Sequence, residues 1–240
     1  MKKHLIKRIL KTLAVVVFFQ LNGWAQNKMD NNQNLDAKQQ SIISISALTA
    51  TGNIEQLKTE LNSGLDAGLT INEIKDELVQ LYAYCGFPRS LNAINTFMTV
   101  ADERKANDKK DIPGKEATPI VDNQKYQTGK NTLQKLTGRE ETALSGANAF
   151  APAIDVFLKE HLFADIFSRD VLNYQQRELI TVAALAAMTG VEPQLQAHIG
   201  IAMNTGITEM QLLEAFTIID EIISKKQGDI ARLALSKVVH

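Results

Sequence analysis

Two internal histidines, one cysteine and a few charged residues hold whatever reaction chemistry this sequence contains. Of the four histidines, His4 stands among the first residues and His240 is the last, leaving His161 and His198 to serve inside a fold. His198 follows Leu195 by three positions and precedes Ala202 by four, which sets it on or beside the apolar stripe of a helix. An imidazole placed there can act as a general acid or base; a packed core histidine with one nitrogen satisfied is the competing reading. Cys85 is the only cysteine, so neither a disulfide nor a Cys-based zinc site can form within one chain. Beside Gly86 on an apolar face, Cys85 reads as a packed small hydrophobe, or else as a lone thiol without a resolving partner. Arg89, just after Pro88, is either a surface cation or a two-pronged clamp for a carboxylate. His161 beside Leu162 and Phe163 is mainly a helix-face histidine and secondarily a substrate-binding candidate, and Asp165 and Arg169 are spaced as an ordinary helix ion pair.

The elements that must position these side chains are helical. Residues 41–78 align without a gap on residues 179–216, 138 positions later: Ile42 falls on Ile180, Gly52 on Gly190, Leu57 on Leu195, Gly68 on Gly206 and Thr70 on Thr208. An ungapped internal match of this kind predicts one fold used twice. Each copy reads as three helices. Gly52 and Gly190 end the first, Gly68 and Gly206 end the second, and the capping boxes Thr70-x-x-Glu73 and Thr208-x-x-Gln211 open the third. In the third helices Ile74, Leu78, Leu81 and Cys85 share a face, as do Leu212, Phe216, Ile219 and Ile223. The run from Ile180 to Met188 is apolar nearly all round, which suits a helix buried on several sides. No alternating strand pattern is present, so the fold class is all-α, with two tandem helical bundle units.

Composition bounds the partners. Lys2, Lys3, Lys7, Arg8 and Lys11 precede the apolar run Leu13 to Phe19 and then Gly23-Trp24-Ala25, the order of parts in a signal peptide, with cleavage expected after Ala25. Gln20 and Asn22 interrupt that run short of the roughly 20 residues a membrane span needs, so an exported chain without stable membrane insertion is expected. Removing the five basic residues turns 26 Lys+Arg against 27 Asp+Glu into 21 against 27, an acidic protein with no basic stripe to hold nucleic acid. Along the chain the reading is a signal peptide at 1–25, a loose polar segment at 26–40, a first, partial unit at 41–100, a charged linker at 101–120 and a second unit at 121–240. Tyr126–Leu136 reads as a short helix. Ala153–Phe167 carries a helical apolar pattern in Ile154, Phe157, Leu158, Leu162 and Ile166.

At two places the residues resemble a known family. Tyr82-Ala83-Tyr84-Cys85-Gly86-Phe87-Pro88-Arg89-Ser90-Leu91-Asn92-Ala93 is similar to the aromatic-Gly-Phe-Pro-x-x-x-Asn-Ala segment that closes a unit of the carboxymuconolactone decarboxylase-like (AhpD-like) family. The stretch from Phe157 to Arg169, continuing through Arg177-Glu178-Leu179-Ile180-Thr181 to Gln196-Ala197-His198, resembles its core. The resemblance implies an all-helical bundle assembling into trimers or hexamers, with cofactor-free lactone decarboxylases and thiol-dependent hydroperoxide reductases among its enzymes. The peroxidase branch uses Cys-x-x-Cys and a histidine four residues on, with an upstream glutamate. Laid on this chain, the histidine is His198, the glutamate is Glu178, and the cysteine positions hold Val191 and Gln194, so a dithiol mechanism is absent.

The expectation that follows is a cofactor-free enzyme doing acid/base chemistry on a small carboxylated or lactone-type metabolite, with His198 and Glu178 moving the proton and Arg89 assisting. Two alternatives stand beside it: peroxidase-like activity through Cys85 alone, and a non-catalytic module that binds a ligand or a protein. Glu178 is also readable as a helix-start carboxylate paired with Arg177 or Arg169. Measured from Gly190, Glu178 lies about 18 Å back and His198 only about 6–10 Å ahead, so their contact requires a steep crossing, a water or another subunit. Glu60 occupies the first copy's His198 position, and Ser224-Lys225-Lys226 replaces Gly86-Phe87-Pro88 in the second. Each copy lacks what the other keeps, which predicts one composite site, with Cys85 and Arg89 from the first half facing His198 and Glu178 from the second. A homo-oligomer, with a trimer of two-unit chains favoured, is expected to cover the apolar helices.

Overall fold

The computed structural model describes residues 34–121 and 123–239. The expected leader 1–25, most of the polar segment behind it and His240 lie outside the described residues. From Asp36 onward the chain packs as one compact body. No strand occurs among the described residues, and no described helix is long and apolar enough to cross a membrane.

Helix α1, Ala37–Thr51, begins earlier than the loose segment 26–40 allows, because Asp36 and Gln39 form a reciprocal capping box. Every residue from Ser41 to Ala50 is buried, making α1 a central element. Gly52 (φ 74°) ends it, α2 spans Ile54–Asp66, and α3 spans Ile71–Ala106 with Thr70 and Glu73 closing the expected capping box. The second copy repeats this plan. Helix α7, Tyr174–Ala187, is buried continuously from Arg177, α8 covers Glu192–Asn204, and α9 covers Glu209–Ile222 behind the Thr208/Gln211 box. Gly52 and Gly190, and likewise Gly68 and Gly206, share left-handed φ values of 74° and 78°, and of 93° and 98°.

Each copy has a fourth helical segment that the three-helix reading does not include. Gly86 (φ 83°, ψ 157°) kinks α3, and the chain resumes a helix in which Pro88 falls in the first turn, where a missing N–H costs nothing. In the second copy the break falls at Ile223 and Ser224, and α10 runs Lys225–Val239. Even small residues correspond: Ser90 donates its hydroxyl to Leu78 O, and at the matching Gly228 a Cβ would stand 2.8 Å from Phe216 O.

The copies interlock. α1 packs on α7, α3 packs on α7 and α9 packs on α1, so the first helix of each copy touches the third of the other. The segment read as a linker is tied down at both ends. Its first residues, 101–106, continue α3, where buried Arg104 bonds Asp66 and Asp111 at 2.8 and 2.7 Å. Further on, Ile112 O and Pro113 O accept from the first amides of α3, those of Ile71 and Asn72.

Between the copies lie α4 (Lys125–Thr137), two short helices, α5 (Gly146–Phe150) and α6 (Pro152–Val156), and a π-helix at Phe157–Ile166 that packs on α4. The wider winding, which starts at Phe157, splits the apolar stripe expected from α-helical spacing: Leu162, Phe163 and Ile166 go inside while Phe157 is 65% exposed; Ile154, on α6 before it, is 50% exposed.

Candidate functional site

The site forms where α3 of the first copy meets α7 and α8 of the second. Asp76, Gln80 and Tyr84 recur every four residues and so line one face of α3. Opposite them stand Arg177, Glu178 and Thr181 on α7. Gln80 Nε2 donates to Arg177 O at 2.8 Å and to Thr181 Oγ1 at 3.0 Å. The Arg177 guanidinium, with no exposed surface, donates to Gln80 Oε1 (2.9 Å), Asp76 Oδ2 (2.7 Å) and Arg169 O (2.7 Å). Arg169 Nε donates to the other oxygen of Asp76. Burial pulls the Arg177 pKa below its usual value, and Asp76 opposes that pull. This buried lattice fixes α3 against the first turn of α7 and so sets where Glu178 points.

His198 and Glu178 meet directly. His198 Nδ1 lies 2.8 Å from Glu178 Oε2, with the Glu178 side chain wholly buried and that of His198 11% exposed. The register reckoned from Gly190 overstated their separation, because α7 stops at Ala187 and α8 starts at Glu192. Counted from those ends the two residues are three positions out of step, about 4.5 Å, which two long side chains span without a water or a second subunit. A carboxylate facing Nδ1 holds the proton on that nitrogen and leaves Nε2 as the basic atom. Nε2 has no hydrogen-bonding partner among the described residues, so the ring is anchored on one side and available on the other.

The first copy does reach this histidine, but not through Cys85 or Arg89. The Tyr84 ring stands edge-on to the His198 ring, with centroids 5.5 Å apart and planes at 81°. Burial and the Glu178 charge push the Tyr84 hydroxyl well above its usual pKa, so it stays a neutral phenol. Cys85, one residue on, turns its Sγ to Leu81 O at 3.2 Å, and burial pushes the thiol up to about 11 against the pull of Arg89. Arg89 is exposed beyond the kink, with one nitrogen 3.9 Å from Met188 Sδ. His161, half exposed on the π-helix, faces Asp165 at 3.2 Å and the Tyr82 ring at 5.5 Å. Tyr82 and Tyr84 are about 200° apart around α3, which separates His161 from His198. Asp165 pairs with Lys125 at 2.8 Å, and Arg169 goes to Asp76 instead of the expected helix partner.

Sequence reading missed Asp76, Gln80 and Tyr84. The signal was present as an i, i+4, i+8 series, but polar groups beside an apolar stripe normally face water. The matching junction of the other pair of helices carries no such site: Gln40 and Glu60 stand where Glu178 and His198 stand, and Gln40 Nε2 donates to Glu214 Oε1 at 3.0 Å. Burial raises the pKa of the half-buried Glu60 carboxyl.

The model of the "Carboxymuconolactone decarboxylase family" matches residues 18–97 and 152–223, more than half of the chain and in two segments. The chain belongs to this family. Over 95 residues, 39% of this chain and 70% of the relative, it is 28% identical to 4-carboxymuconolactone decarboxylase of Acinetobacter baylyi. Over 87 residues, 36% of this chain and 81% of the relative, it is 24% identical to an uncharacterized protein of Methanocaldococcus jannaschii. The second family segment contains Glu178 and His198 and the first contains Tyr84, so the site draws on both.

Proposed function

We propose that this family member is a cofactor-free, decarboxylase-like enzyme acting on a small carboxylated or lactone-type metabolite, with the Glu178–His198 pair as its acid/base group. The observation that carries the reading is the buried 2.8 Å contact at Nδ1, with Nε2 left without a protein partner. In the proposed reaction the bond from carbon to the substrate carboxylate breaks, and its electron pair passes into a conjugated carbonyl as an enolate. Carbon dioxide leaves, and Nε2–H of the imidazolium protonates the carbon; a proton from water restores the ring. Glu178 balances the imidazolium charge in a site where water does little of that work.

The experiment is carbon dioxide release from a panel of carboxylated lactones by the purified chain, with His198→Gln and Glu178→Gln beside it. Loss of about 10²–10⁴-fold in kcat for His198→Gln, with folding intact, is expected of an acid/base residue. Full turnover by that variant overturns the reading. The peroxidase reading is less well supported, since a thiol pushed up to about 11 supplies almost no thiolate at neutral pH. It requires Cys85→Ser to abolish hydroperoxide turnover. A buried His198 without a partner would favour the binding-module reading; here the ring is paired with Glu178.

The same proposal includes self-association and export. Phe87, Leu91, Met98 and Phe157 are each more than half exposed, which suits a further copy packing on this chain. Light scattering on the purified protein checks the trimer, and fractionation of expressing cells checks removal of the leader.

A further inference from the structure

Behind the Glu178–His198 pair stand three buried polar atoms without a protein partner among the described residues: Tyr84 Oη, Arg177 Nε and Glu178 Oε1. Arg177 and Glu178 are neighbours on α7. Tyr84 reaches toward both from α3, one turn beyond the Gln80 that bonds Arg177 and Thr181, and its hydroxyl responds to the charge of each. The Thr181 hydroxyl also stands near; it donates to Arg177 O and accepts from Gln80, and its remaining lone pair does not meet the Tyr84 hydroxyl in hydrogen-bonding geometry. Arg177 and Glu178 have no exposed surface, so bulk solvent does not satisfy them. Their chemistries are complementary but cannot all be met pairwise. A guanidinium N–H only donates, a carboxylate oxygen only accepts, and a phenol does one of each.

We infer that one bound water molecule joins Tyr84 Oη, Arg177 Nε and Glu178 Oε1, and that through it Tyr84 is a positioning residue for the Glu178–His198 pair. A water has two donors and two acceptors. It accepts from Arg177 Nε–H, donates to Glu178 Oε1 and makes its third bond with Tyr84, the usual complement of an internal water. The arrangement holds the second oxygen of Glu178 while the first holds His198, and the edge of the Tyr84 ring limits the tilt of the imidazole. The carboxylate then keeps one fixed orientation whichever protonation state His198 is in.

The inference builds on the pairing proposed above as the acid/base group, yet its test needs no turnover. His198 is titrated by NMR of the imidazole in the full chain, its signal assigned by its loss in His198→Gln, for the native protein and for Tyr84→Phe. Phenylalanine keeps the ring against His198 and removes only the hydroxyl. The ionisable groups that meet His198 are Glu178 and Tyr84, with Arg177 beside them; the buried faces of α4 and α10, which also pack on α8, carry no ionisable side chain. With its hydroxyl anchor lost, the water solvates Glu178 less well and the carboxylate holds the imidazolium proton more tightly. The expected result is a His198 midpoint raised by about half a pH unit or more, with cooperative unfolding kept and the melting temperature lowered by at most about 5 °C. A midpoint that does not move in a folded Tyr84→Phe protein overturns the positioning role. A high-resolution crystal structure supplies the second reading: a water within hydrogen-bonding distance of all three atoms supports the inference, and a direct Tyr84–Glu178 bond with no water overturns it.

Discussion

Replacing Glu77 by glutamine should change how the stability of this protein depends on pH. Glu77 lies on α3 with 1% of its surface exposed and accepts a 2.8 Å hydrogen bond from Ser46 Oγ on the central helix α1, itself fully buried. Burial raises its pKa well above the ordinary 4.5, and the nearby charge of Glu73 adds to the shift while Ser46 opposes it. Above pH 4.5 the unfolded chain therefore loses this proton while the folded chain keeps it. The folded state binds one more proton than the unfolded state, so stability falls as pH rises, by about 1.4 kcal/mol per pH unit, until the folded value is passed. Glutamine cannot titrate, and its Oε1 still accepts from Ser46. Its extra N–H needs a partner, which costs a constant amount; only the slope carries the test. Urea unfolding of the native protein and Glu77→Gln at a series of pH values upward from about 5 gives the two free-energy curves. Their difference should shift in favour of the variant by that slope, with equal m values. Parallel curves across the whole range would refute a raised Glu77, whatever their separation.

Two further substitutions probe how tightly the helices pack, and a third probes how the site is held. Gly129→Ala puts a Cβ 1.8 Å from Lys159 O on the π-helix, a backbone clash expected to cost about 1–3 kcal/mol in a thermal melt. Gly200→Ala, whose nearest atom is Val238 Cγ1 at 3.8 Å, should be neutral or stabilising by up to about 1 kcal/mol through helix propensity, read in the same melt. Asp76→Asn strands the Arg177 guanidinium, which has no exposed surface, and should cost about 3–5 kcal/mol in denaturant unfolding. The companion Asp76→Asn/Arg177→Met pair should lose clearly less, because no buried charge is left without a counterion.

Much of the helical plan is legible in short stretches of sequence because it rests on local chemistry. The Thr70/Glu73 and Thr208/Gln211 boxes and the left-handed glycines at 52, 68, 190 and 206 each act within four residues, so their types and spacings suffice. The fourth segment of each copy was not legible. Pro88 usually stops a helix, and only the φ of 83° at Gly86 shows that the chain turns first and restarts with Pro88 in a permissive position. The π-helix was hidden for a similar reason: a stripe counted at about 3.6 residues per turn does not follow a wider winding, and Phe157, where that winding starts, faces outward. In the site, His198 and Glu178 could be named from resemblance, while the partner from the first half could not. Cys85 and Arg89 are the chemically conspicuous residues of that segment, and Tyr84 is the one whose position on α3 brings it to His198.

The two helix crossings related by the repeat explain why a single site exists. At one, Asp76, Gln80 and Tyr84 of α3 meet Arg177, Glu178 and Thr181 of α7; at the other, Glu214, Ile218 and Ile222 occupy the matching places on α9, and Gln39, Gln40 and Ile43 those on α1. In the second set Gln39 stands in the place of Arg177 and Ile222 in the place of Tyr84, and the two isoleucines on α9 carry no polar side-chain group. The first set cannot be transplanted into one half, because the counterion of Arg177 and the ring that stands edge-on to His198 both lie on α3. A second-half fragment carrying Glu178 and His198 would keep the Glu178–His198 contact, yet expose apolar α7 and leave a guanidinium without its carboxylate. Having both halves in one chain thus lets each copy diverge, since the site needs one arginine, one glutamate and one histidine from one side and one aspartate and one tyrosine from the other.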